Sequence, residues 1–177
     1  MKLLIIDKKI VIFGVGNQFR QDDGIGLRIL EKISENPIIL KNTDYIFEIS
    51  MGVFEIEKLL KLHNNIDLAI FIDAVSSKKV QAGTVLILTL DDLPGDKTDL
   101  CTTTHGITLS DILQMIKEIH PEALPKEIII LGIVVPNIGY GQYLSQTAIK
   151  AIPVVERLIM DIILNKPLIS KTYSIKE

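Results

Sequence analysis

The pattern of apolar and polar residues along this chain predicts strands that alternate with amphipathic helices. Short apolar runs, bounded by glycine, proline or polar residues, indicate five strands at about residues 9–15, 44–50, 67–73, 84–90 and 127–135. Between them, apolar residues recur at helical spacing and indicate four helices, at about residues 24–35, 53–63, 108–119 and 145–164. This alternation is typical of an α/β domain with a mostly parallel sheet and helices on both faces.

One connection departs from the parallel pattern. The segment between the third and fourth predicted strands is too short for a helical crossover, which needs about a dozen residues or more. We therefore expect the strand at 84–90 to run antiparallel to the strand at 67–73 and to pair with it. The prediction is a single domain over residues 1–177, with a twisted five-stranded sheet, one antiparallel strand and a polar, loosely held tail from about residue 166.

Local signals predict how several helices begin and end. Pro37 is expected to end the first helix, and Thr108 with Asp111 forms a capping-box pattern before the third. Ser145 is a favourable N-cap for the last helix, and Pro153 falls inside that helix, where it should produce a kink.

Composition restricts the class of protein. Of the residues, 47% are hydrophobic and 23% charged, as in globular domains, and the net charge of −3 argues against nucleic-acid binding. A single cysteine excludes an internal disulfide and a multi-cysteine zinc site, which favours a reducing cytoplasm. Asp7, Lys8 and Lys9 interrupt the apolar N-terminus, and no apolar run reaches membrane-spanning length. We therefore expect neither a signal peptide nor a membrane span.

The first strand runs into a glycine-rich loop. Gly14 and Gly16 begin like a dinucleotide-binding fingerprint, but Phe19 occupies the position of its third glycine. Asp22 and Asp23 in the same loop would also repel a pyrophosphate group. An acidic loop of this kind instead suits a metal site or a proton-transfer site. Asp22 is expected to cap the first helix or to brace the loop, which leaves Asp23 for chemistry.

Two further polar residues are expected at the same edge of the sheet. Asp73 ends the third strand, and His105 lies in a turn before the third helix. Active sites of parallel sheets lie at the carboxyl ends of the strands, so Asp23, Asp73 and His105 should converge. Two carboxylates and an imidazole suit a borderline transition metal. Individually, such residues are more often hydrogen-bond acceptors or idle surface groups, and we assign His63 and His120 to that class.

The motif G-x-G-N followed by D-D-G-x-G resembles the start of the hydrogenase maturation endopeptidases. The likeness continues through an Asp that closes the third strand and a His in a Ser/Thr-rich turn. It covers residues 10 to about 157, with further matches at Leu131-Gly132, Pro136, Gly139 and Leu144-Ser145. Many relatives carry Glu at the position of Asp23, and the shorter Asp resembles a subset that includes proteases of formate-linked hydrogenases.

The resemblance implies an aspartic-type endopeptidase whose partner is a nickel–iron hydrogenase large-subunit precursor. The enzyme would recognise inserted nickel through Asp23, Asp73 and His105 and cut after the cysteine-rich C-terminal motif. The nickel would come from the precursor, with no permanently bound cofactor, although zinc or cadmium could occupy the site in vitro. Water could be activated by nickel or by a carboxylate base. The alternatives are a non-catalytic module that checks or carries nickel and a nucleotide-binding domain.

Overall fold

The computed structural model describes residues 8–50, 54–93, 100–101, 108–168 and 170–174. The strands are Ile10–Val15 (β1), Tyr45–Ile49 (β2), Leu68–Ser77 (β3), Thr84–Thr89 (β4), Leu100–Cys101 (β5), Glu127–Val134 (β6) and Thr172–Ser174 (β7). The helices are Ile25–Ile33 (α1), Pro37–Lys41 (α2), Phe54–Leu62 (α3), Leu109–Ile119 (α4) and Gln146–Ile163 (α5). Short 3-10 helices cover Gln21–Gly24, Leu90–Asp92 and Pro121–Ala123.

The strands form one sheet in the order β2-β1-β3-β6-β4-β7, with β5 paired to the end of β3. The four strands from β2 to β6 are parallel, and β4 is antiparallel to β6. The predicted α/β class, with a mostly parallel sheet, is therefore confirmed. The predicted direction of β4 is correct, but its predicted neighbour is wrong, because β6 lies between β4 and β3.

The position of β6 follows from its apolar content. Residues Ile128 to Val134 are all buried, whereas β4 becomes exposed at its end. β6 pairs with β3 over eight residues, from Leu68↔Glu127 to Val75↔Val134. β6, the more continuously apolar strand, therefore lies in the centre of the sheet beside β3. The short segment after β3 leads to β4 on the far side of β6.

Two short strands were not predicted. Leu100 and Cys101 pair antiparallel with Ser77 and Ser76, so β5 extends the edge of β3. Thr172–Ser174 pairs antiparallel with β4, and Tyr173 packs against the core. The expectation of a loosely held tail from about residue 166 is therefore wrong for this segment. Pairing with β4 and the packing of Tyr173 hold this segment in place although its composition is polar.

Buried apolar residues form two clusters, one on each face of the sheet. Residues of α1, α2 and α5 pack on one face, and residues of α3 and α4 pack on the other. The two clusters divide each strand by alternation, as shown by Ile10 and Ile12 in the first and Val11 and Phe13 in the second. The prediction of helices on both faces is confirmed. None of the described helices is long and apolar enough to cross a membrane.

The starts of α4 and α5 follow the local signals, whereas the prediction for Pro37 does not hold. Thr108 and Asp111 form both hydrogen bonds of a capping box, and the Ser145 hydroxyl accepts from the Ala148 N–H. Pro37 does not simply end the first helix. It occupies the first turn of α2, where its missing N–H has no partner to lose, and Asn36 caps that helix.

Candidate active site

The sheet has a topological switch point between β1 and β3. β1 has β2 on one side and β3 on the other, while α1 and α3 cover opposite faces. Connections that leave on opposite faces open a crevice at the carboxyl ends of the two strands. The pairing between β1 and β3 reaches Gly14↔Ile72, and Asp73 is the next residue of β3. Asp73 therefore lies inside β3, at the point where β1 turns away. The prediction that Asp73 ends the third strand is wrong, because pairing with β6 and β5 continues β3 to Ser77.

Glycines let the acidic loop pack tightly over this crevice. A Cβ atom at Gly26 would overlap the carbonyl oxygens of Val15 and Ile72, so α1 begins in direct contact with β1 and β3. A Cβ atom at Gly16 would overlap the carbonyl oxygen of Asp23, and the φ of +147° at Gly16 also favours glycine. These close approaches place the 3-10 helix that contains Asp23 next to the end of β1.

Asp23 and Asp73 form a buried, electrostatically coupled pair. Their exposed fractions are 4% and 3%. Burial raises the pKa of Asp73 well above its usual range, and the negative charge of Asp23 raises it further; a backbone hydrogen bond from Ala74 opposes both effects. Burial also raises the pKa of Asp23, but the positive charge of Arg20 and a backbone hydrogen bond from Asn17 lower it. The structure therefore brings these two predicted residues together.

Sequence reasoning missed Arg20. Its guanidinium stabilises the ionised form of Asp23, and its Nη2 donates to the carbonyl oxygen of Ile138 at 3.3 Å. Arg20 thus connects the acidic loop to the loop after β6. The available signal was a basic residue three positions before Asp23 in a loop whose other charged residues are both acidic.

Asp22 does not cap α1, contrary to one of its two predicted roles. The N-cap of α1 is Gly24, and no side chain caps that helix. Asp22 is fully buried, and its Oδ1 accepts a hydrogen bond from the backbone N–H of Ser145 at 2.6 Å. It braces the loop against the start of α5, a contact that local sequence cannot show because the partners are 123 residues apart.

His105 lies outside the residues that the structure describes. Its predicted place beside Asp23 and Asp73 therefore stays a prediction, and the described residues alone contain no group of three potential metal ligands. The other two histidines lie elsewhere: His63 contacts the rings of Tyr45 and Phe47, and His120 ends α4.

The loop after β6, residues 136–144, is joined to the acidic loop by backbone hydrogen bonds. Gln21 donates to Gly141, and Gly141 donates to Phe19, at 2.8 and 3.0 Å. Asp22 donates to Asn137 at 3.2 Å. Between and beyond these anchors, two tyrosines, Tyr140 and Tyr143, are 94% and 87% exposed. The loop is thus held against the acidic loop and presents aromatic side chains to solvent.

The comparisons with known proteins agree on one family. The model of the family described as HycI, hydrogenase maturation protease, matches residues 51–162. The hydrogenase 2 maturation protease of Escherichia coli (strain K12) is 30% identical over 135 residues, which cover 74% of this chain and 78% of that protein.

Solved structures show the same fold. The E. coli hydrogenase maturating endopeptidase HybD superimposes with a TM-score of 0.67 at 25% identity, over 89% of this chain and 93% of that one. The HycI maturation protease of Thermococcus kodakarensis KOD1 has a TM-score of 0.65 at 24% identity, over 89% and 94% of the two chains, and supports the fold alone. The family model covers more than half of the chain, and with the E. coli relative it shows that this chain belongs to the hydrogenase maturation protease family.

Proposed function

We propose that this protein is the endopeptidase that removes the C-terminal extension of a nickel–iron hydrogenase large-subunit precursor after nickel insertion. Family membership supports a peptidase of hydrogenase maturation. The observation that carries the finer proposal is the buried pair Asp23 and Asp73 at the switch point. The single cysteine of the chain fits a reaction in the cytoplasm.

Two buried carboxylates that repel each other cannot both be ionised unless a cation compensates them. Arg20 partly compensates Asp23, but the raised pKa of Asp73 indicates that its ionised form lacks such compensation. A divalent ion carried by the precursor would provide it, and Asp73 would release its proton as the ion binds. Nickel is in this sense part of the substrate, and we propose His105 as the third ligand. Imidazole and carboxylate groups together suit nickel.

Two routes of water activation fit this arrangement. Nickel would polarise the scissile carbonyl or the attacking water, in which case the cleavage rate should depend on the metal that loads the precursor. Alternatively, a carboxylate whose pKa is raised by burial would act as a general base, a role that fits the direction of the shift at Asp73. In that case the rate of cleavage should rise with pH through that raised pKa, whichever metal is present.

Incubation with nickel-loaded and nickel-free precursor, followed by mass spectrometry of the precursor, tests the proposal. We expect loss of the C-terminal extension only from the nickel-loaded form. Asp23→Asn, Asp73→Asn and His105→Ala should each abolish cleavage without unfolding the protein. His63→Ala and His120→Ala are matched controls, because both histidines lie away from Asp23 and Asp73: His63 contacts the rings of Tyr45 and Phe47, and His120 ends α4.

The experiment also separates the alternative function. A module that only checks or carries nickel would bind the nickel-loaded precursor but leave its mass unchanged. Cleavage by the Asp23→Asn, Asp73→Asn and His105→Ala variants at the rate of the parent would show that the proposed site is wrong.

A further inference from the structure

Asp22 is fully buried, yet the proposed chemistry does not use it. Its Oδ1 accepts the 2.6 Å hydrogen bond from the Ser145 N–H. Its Oδ2 is also buried and has no hydrogen-bond partner among the described residues. Burial of a carboxylate of which only one oxygen is hydrogen-bonded costs folding free energy. The contact of Asp22 with Ser145 is therefore expected to have a role other than stability.

The partner of Asp22 is the start of a long helix. Ser145 is the N-cap of α5, an 18-residue helix, and its hydroxyl already accepts from the Ala148 N–H at 3.1 Å. The N–H of Ser145 is therefore left for Asp22. Partial positive charge at a helix N-terminus stabilises a nearby carboxylate, which strengthens the contact. The longest described helix thereby provides a fixed point for the acidic loop.

Asp22 also lies between backbone contacts that fix its neighbours. Its own N–H donates to Asn137, and the N–H of Gln21 donates to Gly141. The N–H of Asp23 donates to Arg20 within the same turn, at 3.1 Å. The backbone of Asp23 is thus part of a turn that is held against the loop after β6 on one side and against α5 on the other.

We propose that Asp22 is a positioning residue: its hydrogen bond to Ser145 fixes the turn that aims the carboxylate of Asp23 at Asp73. This inference rests on the proposed function of that pair. Loss of the bond would let the turn shift while the core stays intact. Groups that orient metal ligands typically change affinity or activity by about 10–100-fold when removed.

The test compares Asp22→Ala with Asp22→Asn in the full-length protein. Binding of Cd²⁺ alone is measured by calorimetry, and cleavage of nickel-loaded precursor gives kcat and KM. Asp22→Ala should weaken Cd²⁺ binding and lower kcat, each by about 10–100-fold, with little change in KM. Asp22→Asn keeps an oxygen that can accept from Ser145 and should recover most of both. Recovery by Asn identifies the hydrogen bond, not the charge, as the cause.

Asp44→Ala is the matched control for stability. Asp44 likewise accepts a backbone N–H, that of Ile10 at 2.7 Å, but at the amino end of β1, away from the site. This variant should unfold at a lower temperature while keeping its Cd²⁺ affinity and kcat. If Asp22→Ala does not fold, Asp22→Leu takes its place, because leucine is close to asparagine in size and has no oxygen that can accept from the Ser145 N–H. The difference between Asp22→Leu and Asp22→Asn then isolates the hydrogen bond.

The outcomes are distinct. Cd²⁺ affinity and kcat at parental values in Asp22→Ala, or in Asp22→Leu, would overturn the positioning role. Equal losses in Asp22→Asn and Asp22→Ala would overturn the hydrogen-bond explanation. Asp23→Asn is measured in parallel: if it binds Cd²⁺ and cleaves normally, the proposed function fails. If it loses both while Asp22→Ala loses neither, only the inference about Asp22 fails.

Discussion

The carboxylate of Asp23 raises the pKa of Asp73, the residue that follows the last paired position between β1 and β3. Burial of Asp73 is the larger cause, and the two effects act in the same direction. Arg20 favours the ionised form of Asp23. The pair is therefore asymmetric: Asp23 is the carboxylate that ionises first, and Asp73 holds its proton to a higher pH.

The first prediction concerns stability and pH. Because the pKa of Asp73 is raised on folding, the stability it contributes is fully present below its unfolded pKa of about 3.9 and is lost as pH rises through its folded pKa. An asparagine at this position cannot ionise, so the Asp73→Asn variant does not lose this stability as pH rises. Relative to the parent, the melting temperature of the variant should therefore increase from pH 4 towards pH 8. Thermal unfolding across that range measures the difference.

Asp92→Asn is the control for this measurement. Hydrogen bonds from Thr89 and Lys171 lower the pKa of Asp92 to about 2, so its linkage to stability has the opposite sign. Its contribution is present above pH 4 and is lost as pH falls towards 2. From pH 4 to 8 its difference from the parent should be constant. A constant difference for Asp73→Asn as well would show that Asp73 is ionised throughout and that the coupling is wrong.

The second prediction concerns metal affinity. Zinc or cadmium should bind without precursor, and affinity should increase with pH, because Asp73 and the proposed ligand His105 must lose protons. Asp23→Asn should weaken binding more than Asp22→Asn, since only Asp23 is proposed as a ligand. Calorimetry in two buffers of different ionisation enthalpy measures both affinity and proton release. Metal binding without proton release at every pH tested would contradict a protonated Asp73.

The sequence predicted the parts of the fold that depend on local pattern. Apolar runs and helical spacing located the main strands and helices, and Thr108 and Ser145 marked two helix starts. The order of strands was harder, because the direction of β4 follows from loop length but its neighbour depends on competition with β6. The strand at 172–174 carries almost no local signal, since three residues suffice once β4 offers a free edge.

The candidate site, too, could be predicted where it depends on local pattern but not where it depends on contacts between distant segments. The convergence of Asp23 and Asp73 followed from the rule for parallel sheets, although Asp73 was expected to end the third strand and instead lies inside β3. The partner of Asp22 could not be predicted, because its bond to Ser145 spans 123 residues and depends on where α5 begins relative to the loop. Arg20 was overlooked for a related reason: its importance comes from burial of the carboxylate beside it, which composition does not reveal.

The third prediction concerns the contact between α1 and the sheet. A methyl group at Gly26 would meet three backbone atoms, two carbonyl oxygens and the Val15 nitrogen at 2.9 Å, none of which can rotate away. Gly26→Ala should therefore cost at least about 2–3 kcal/mol of unfolding free energy. Gly139→Ala is the control, because the nearest atom, at 3.2 Å, belongs to the side chain of Asn137. Denaturant unfolding compares the two, and equal stability would contradict the close approach.

The fourth prediction concerns the loop at 136–144. Its glycines and tyrosines predict a lip that becomes ordered on substrate binding, and the structure shows it anchored at Asn137 and Gly141. The exposed rings of Tyr140 and Tyr143 beside the site are suited to contact the precursor. Hydrogen exchange of residues 138–144 should slow when nickel-loaded precursor is added. Equal hydrogen exchange of these residues with and without precursor would contradict ordering of the loop on substrate binding.

Substitution of the two tyrosines completes this test. Replacing both Tyr140 and Tyr143 by Ala should raise KM by about 5–30-fold, the equivalent of 1–2 kcal/mol of binding, with kcat nearly unchanged. Tyr45→Ala is the matched control, because Tyr45 is 40% exposed but lies where β2 begins, at the amino ends of the strands and away from the acidic loop. If kcat falls instead of KM rising, the loop acts on the geometry of the acidic turn through its bonds to Gln21 and Asp22, not on precursor binding.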